Sequence, residues 1–168
     1  GVFVVDETQD LDLVPLITTD HIVGDLQVVD HAGDVENSLL YAYARDYARE
    51  SWLVDRQEEK DSASITALRE ERKSALIPYY GLREVDVVDD INARRLLLYA
   101  YPPRIVTFQM GMGADEVDLG DVFRLTHPDG PGANGYVEAP MLCTRHSLSL
   151  STFLVTVEAI DVSPLFGV

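Results

Sequence analysis

Apolar positions in this chain recur with two different periods, and the change of period marks its elements. After Asp89-Asp90, residues Ala93, Leu96, Leu97 and Ala100 follow the i, i+3, i+4, i+7 template of a helix with one buried stripe. Either aspartate suits the N-cap, and both favour the positive end of the helix dipole. Pro102-Pro103 stops the element, because the residue before a proline avoids helical backbone. The pattern predicts a helix over about 89–101, packed on a sheet. A shorter helix is predicted over about 62–75. Asp61 or Ser62 caps its first turn, Ile65 and Leu68 lie three apart, and the charged run 69–73 reads as its wet face.

Elsewhere the period is two. Val106, Phe108 and Met110 share one face of a strand that starts near Arg104. In Val122–His127, Phe123 and Leu125 point one way, and Val122, Arg124 and Thr126 the other. Tyr136–His146 and Thr152–Asp161 read as two further strands joined by a serine-rich link at 147–151, with Phe153, Val155 and Val157 as one apolar stripe. Four strands in sequence order predict an antiparallel meander. Leu82–Val88 alternates and predicts one more strand, and residues 1–5 are apolar and β-rich. Gly24-Asp25 and the eight-residue stretch 128–135 are turn signals. The segment Val35–Tyr47 fits both periods: its alanines favour helix and its tyrosines favour strand. The fold class expected is α+β. It is predominantly antiparallel β, meander or barrel-like, with the helix about 89–101 on the sheet and the short helix about 62–75.

Composition narrows the function. Of 168 residues, 46% are hydrophobic and 25% charged, an ordinary globular balance. Thirteen basic residues stand against 29 acidic ones, for a formal charge of −16. Such a surface repels phosphates, so specific nucleic-acid binding is not expected. No apolar run is long enough for a spanning helix, so no membrane insertion is expected. Lys60 and Lys73 are the two lysines, and the other bases are arginines. An acid-rich, lysine-poor surface fits a halophilic host, or a GC-rich genome with an acidic surface kept for solubility. The opening Gly-Val-Phe-Val-Val lacks the basic start of a signal peptide, and the chain is expected to be an excised or processed segment.

Candidate chemistry is thin. Cys143 is the one cysteine, and His146 lies three residues on, which on a regular strand points the two to opposite faces. His21, His31 and His127 form no close ligand pair with it. Gly111-Met112-Gly113 reads as a turn, not a dinucleotide loop. Asp115, Glu116 and Asp118 sit in a connecting loop and would pair as a glycosidase couple only by coincidence, and the acidic stretch 6–12 lacks the glycine and terminal glutamate of a calcium loop. No catalytic, cofactor-binding or metal residue is assigned, and no enzyme activity is expected. The turn-rich loop 128–135 with Tyr136 beside it leaves a carbohydrate- or receptor-binding module as the alternative, and a cell-wall hydrolase as a weaker one.

The order of signals resembles a known family. Asn37-Ser38-Leu39-Leu40-Tyr41-Ala42-Tyr43 resembles the "N-x-hydrophobic-x-Y" strand of tail-hub and baseplate-hub proteins of long-tailed phages, prophages and related tailed viruses. Ser74 through Tyr80-Gly81 is similar to their serine…tyrosine-glycine element, followed by Leu82–Val88, Asp89-Asp90-Ile91 and a helix ending in proline. The most specific part is Val106-Thr107-Phe108 and then Leu119-Gly120-Asp121-Val122-Phe123-Arg124-Leu125-Thr126-His127, with a closing hairpin over 136–161. The resemblance covers roughly residues 20–162, and 52–73 is longer and more charged than the family pattern. It implies that 35–44 is a strand and 35–162 a hub-like domain. Residues 1–34 would be a strand-rich linker to a missing upstream domain. It also implies a virion structural protein of the tail, in contact with other tail or baseplate proteins and copies of itself, a trimer ahead of a hexamer. The family brings no catalytic residue or cofactor to this region.

Overall fold

The computed structural model describes residues 10–111 and 117–167. Its elements are β1 (Leu16–Thr18), β2 (Gln27–Asp30), β3 (Ser38–Asp46), β4 (Ser51–Lys60), α1 (Ser62–Leu68), β5 (Ile77–Pro78), α2 (Val85–Tyr99), β6 (Arg104–Gly111), β7 (Val122–His127), β8 (Tyr136–Ser149), β9 (Leu154–Asp161) and α3 (Ser163–Phe166), with short 3₁₀ turns before β1, β2 and β3. The α+β class is as expected. The chain forms two units: unit one comprises residues 1–31 and 104–168, and unit two residues 32–103.

Unit one is a six-stranded sheet in the order β1-β7-β8-β9-β6-β2. The alternation read in the sequence becomes its core. Val106, Phe108 and Met110 from β6 are buried with Phe123 and Leu125 from β7, Met141 and Cys143 from β8, and Val155, Val157 and Ala159 from β9. Phe108 and Phe123 meet edge to face, centroids 6.0 Å apart. Two expectations need correction. The meander runs β7-β8-β9, but β6 joins it beyond β9 and not beside β7. The sheet is also not a barrel: β1 and β2 are short end strands, each with a ladder on one side, so no ladder closes. The Phe153 stripe breaks as well. Phe153 takes a left-handed φ of 54° in the turn before β9 and is 64% exposed, while β8 runs on to Ser149 through most of the expected link.

Unit two is entered and left at one edge of that sheet. Asp30 at the end of β2 is the register partner of Arg104 at the start of β6, and the Arg104 Nε–H donates to Asp30 Oδ1 at 2.9 Å. Within unit two, β4, β3 and β5 form a three-stranded sheet with β4 at one edge. Leu39 of β3 packs with Leu96 and Ala100, at the end of α2, and with Ile77. Helix α2 starts at Val85 and Leu82–Glu84 lie in no strand, so the expected strand Leu82–Val88 is not formed. Glu84 is the N-cap residue without a side-chain cap, so Asp89 and Asp90 lie inside the helix and do not cap it. Val88, Asn92, Leu96 and Ala100, four apart, form the buried stripe, and this packing overrides the low helix propensity of the valines. Helix α1 ends at Leu68 because Arg69 turns left-handed at φ 54°. Its predicted start holds: the Asp61 carboxylate accepts the Ser64 N–H at 2.8 Å.

Candidate functional site

The family-like residues of unit two brace its strands. Asn37 is fully buried. Its side-chain amide donates to the Glu70 carbonyl at 2.9 Å and to Ser64 Oγ at 3.3 Å, and its Oδ1 accepts the Arg72 N–H at 2.7 Å. The charged run 69–73 is therefore laid against the start of β3 and is not the wet face of a helix. Ser74 Oγ accepts the Leu40 N–H at 3.0 Å, and the Tyr79 hydroxyl donates to Asn92 Oδ1 at 2.7 Å. In unit one, Leu119-Gly120-Asp121 is a turn with Gly120 at φ 92°, a backbone that favours glycine. Gly120 N–H donates to the Cys143 carbonyl, and Cys143 N–H to the Asp121 carbonyl, both at 2.9 Å. That pins the entry of β7 to β8.

The residues singled out for chemistry are placed as follows. A bulge between Cys143 and Arg145 restores Cys143 and His146 to one face, since they are register partners of Ala159 and Val157. This corrects the opposite-face expectation. Cys143 is fully buried in the core, and its thiol lies 3.6 Å from the Arg145 carbonyl. Met112, Gly113, Asp115 and Glu116, like the acidic residues Asp6 and Glu7, lie outside the described residues. Among the described residues no three His, Cys, Asp or Glu side chains come together as a metal site, and no helix is long and apolar enough to cross a membrane. An open hollow of about 350 Å³ in unit one is lined by Leu11, Asp12, Arg124 and Glu138, among others. Its one guanidinium is held by Glu138 at 2.9 Å and Asp12 at 3.5 Å. Loop 128–135 folds back on itself: a Cβ at Gly130 would run into the backbone and ring of Tyr136. Tyr136 is 3% exposed, and burial raises its phenol pKa. The ring expected to flank a binding loop is core.

Two surface constellations in unit two were not singled out from the sequence. Both lysines of the chain lie in one network. Lys60 pairs with Glu58 at 3.1 Å and Glu71 at 2.8 Å, and Lys73 with the same two at 2.7 Å and 3.5 Å. Hydrogen bonds from Lys73 and Lys60 hold the Glu58 carboxyl down to about 2. At the other end of β3, Arg45 faces Trp52 across the β3–β4 register. Its guanidinium carbon lies 5.8 Å from the Tyr47 ring, 5.5 Å from Trp52 and 5.4 Å from Tyr80. The alternation Tyr43-x-Arg45-x-Tyr47 hints at this face, but the cross-strand partner depends on a bulge at Tyr41/Tyr43 that the sequence does not announce.

No family model and no curated protein matches the chain. Solved structures do. The chain is similar to a chain in the virion of a native gene transfer agent particle, with 17% identity and a TM-score of 0.60 over 92% of this chain. It is also similar to the tail protein from Neisseria meningitidis MC58, with 9% identity and a TM-score of 0.54 over 94% of this chain. The chain spans 33% and 47% of the length of those two chains. At this identity the likeness establishes a fold. The chain shares its fold with these two proteins over more than nine-tenths of its length.

Proposed function

We propose that this chain is a structural component of a virion tail. It would sit in the hub or baseplate that joins the tail tube to distal receptor-binding or cell-puncturing parts. The observation that carries the reading is the shared fold over more than nine-tenths of the chain with a tail protein and a gene-transfer-agent particle chain. The ordered motifs support it from the sequence side, and their residues work as braces. The chain acts as a segment of a larger hub, through shape and contact and without catalysis. Its partners are other tail or baseplate proteins and copies of itself, a trimer ahead of a hexamer. The charge of −16 gives one surface a role: facing the lumen, it would keep passing DNA from adhering by like-charge repulsion. The alternative of a glycan-binding loop at 128–135 loses its support with Tyr136 buried.

The test is location. Gold-labelled antibody against this chain, imaged on particles, is expected to mark the distal end of the tail. Label on the capsid, or none on intact particles that contain the chain by mass spectrometry of denatured samples, would refute the reading.

A further inference from the structure

Charge is segregated between the two units. Unit one carries fifteen acidic residues against the three bases Arg104, Arg124 and Arg145, a net −12, while unit two carries fourteen acidic residues and the other ten bases, a net −4. Arg104 and Arg124 are already paired with carboxylates of unit one. In unit two the opposite case occurs. Arg45 is partly buried among Tyr47, Trp52 and Tyr80, its Nε is buried without a hydrogen-bond partner, and among the described residues no carboxylate pairs with it. In a chain with more than two acids per base, a half-buried guanidinium without an acid is an open valence.

Its surroundings favour a protein as the occupant. Tyr47 and Tyr80 are 62% and 58% exposed, and tryptophan, tyrosine and arginine are the residues on which binding energy concentrates at protein interfaces. Trp52 lies on β4, an edge strand whose outer backbone groups have no strand beside them, next to Leu53 at 69% exposure. The half of β4 from Asp55 onward is blunted by charges and by the left-handed Arg56, φ 53°, whereas Ser51–Val54 is not.

We propose that Arg45, Tyr47, Trp52 and Tyr80 form the docking point for the base-poor, net-acidic unit one of a second copy of this chain, one of whose carboxylates pairs with the exposed terminal nitrogens of the Arg45 guanidinium. The proposal rests on the assembly reading above and names the surface that serves it. Two different surfaces meet, so the contact is heterologous, and its repetition gives a ring when the rotation between copies closes. Repulsion between chains of charge −16 opposes the approach. The Debye length falls from about 10 Å at 0.1 M salt to about 3 Å at 1 M, so association should strengthen as salt is raised.

Light scattering on the purified chain at about 0.1 M and about 1 M salt tests this, with Arg45→Gln and Tyr80→Ser beside it. A photo-reactive benzoylphenylalanine at position 47 adds the address. The expected result is a discrete oligomer at high salt, weakened roughly tenfold or more by either substitution with an unchanged melting temperature. Cross-links should run from position 47 to residues 10–31 or 104–167 of another copy. A wild-type monomer at both salts, an oligomer indifferent to both variants, or cross-links into unit two would each overturn the proposal. So would binding to a glycan array that Arg45→Gln abolishes in a monomeric protein, which would make the patch a saccharide site. An oligomer indifferent to both variants sinks this surface and leaves the tail assignment to the gold-labelling result.

Discussion

The Asn37 side-chain oxygen accepts the Arg72 backbone N–H at 2.7 Å, across thirty-five residues of chain. The backbone returns the contact: Asn37 and Ser38 N–H groups both donate to the Arg72 carbonyl at 3.1 Å. One buried asparagine thus fixes how the irregular stretch after α1 lies along β3. A leucine of similar size could fill the space but would leave the Arg72 N–H and the Glu70 carbonyl unbonded.

Asn37→Leu should therefore destabilise unit two by about 1–3 kcal/mol for each buried polar group left without a partner. Urea unfolding followed by Trp52 fluorescence, which reports unit two, should show the lowered midpoint. Asn37→Asp keeps the acceptor and removes the donors, and it should fall between wild type and leucine. An unchanged midpoint in Asn37→Leu would show that the contact is dispensable.

The lysine network gives an acid limb. Glu58 is held at about 2 by Lys73 and Lys60, below its unfolded value near 4.3. A depressed carboxyl stabilises the fold above its unfolded pKa, and that contribution disappears as pH falls from about 4.3 toward 2. The melting temperature should drop across this window, and Glu58→Gln should flatten the drop. Lys60 and Lys73 are raised by hydrogen bonds to Glu71 and Glu58 and to Glu58, respectively. Their contribution is full below their unfolded pKa and is lost as pH rises through the folded values, in the alkaline range. The network is solvent-accessible, so added salt should shrink both limbs.

The tight end of the β7–β8 hairpin is open to a steric test. Gly135 has φ +67°, and a Cβ there would strike the carbonyls of His127 and Pro128. Gly135→Ala should cost about 1–3 kcal/mol, the usual range for overpacking, and Gly130→Ala a similar amount against Tyr136. Gly132→Ala makes a control: φ is +83° there too, but nothing stands within 4 Å of the added Cβ. If Gly132→Ala costs as much as Gly135→Ala, backbone strain alone governs position 135, and if Gly130→Ala costs nothing, the close approach to Tyr136 does not matter.

What the sequence disclosed, and what it withheld, follows from the range of the interactions. Val106, Phe108 and Met110 alternate on a regular strand, and a local period suffices to predict their shared burial. Asp61 caps three residues on, again a local matter. The resemblance, more than the period, settled β3 as strand. Four features depend on distant partners and were not legible: the insertion of unit two in the chain between β2 and β6, the one-face placement of Cys143 and His146, the early start of α2, and the Arg45 cluster. Each turns on a bulge, a register or a buried stripe supplied by another element.

Beneath α2, a carboxyl works against the fold. Burial raises Glu59, Asp89 adds to that, and the Asn92 side chain offsets part of it. Glu59 Oε2 and Asn92 Nδ2 are both buried without a hydrogen-bond partner, and the Tyr79 hydroxyl occupies the other end of the Asn92 amide. For an acid raised in the folded state, stability is highest while it is protonated, below its unfolded pKa near 4.3, and declines as pH rises through the folded value. This runs opposite to Glu58, one residue earlier on β4. Glu59→Gln removes the ionisation but keeps the shape and adds a donor. It should therefore raise the melting temperature at pH 7 and change it little near pH 4, where the wild-type carboxyl is already largely protonated. Tyr79→Phe should have the contrary effect at both pH values, because it strips the remaining partner from a buried amide at a cost of about 1–3 kcal/mol. If Glu59→Gln melts below wild type at pH 7, the ionised carboxylate is being stabilised by a partner and the account of this cluster fails.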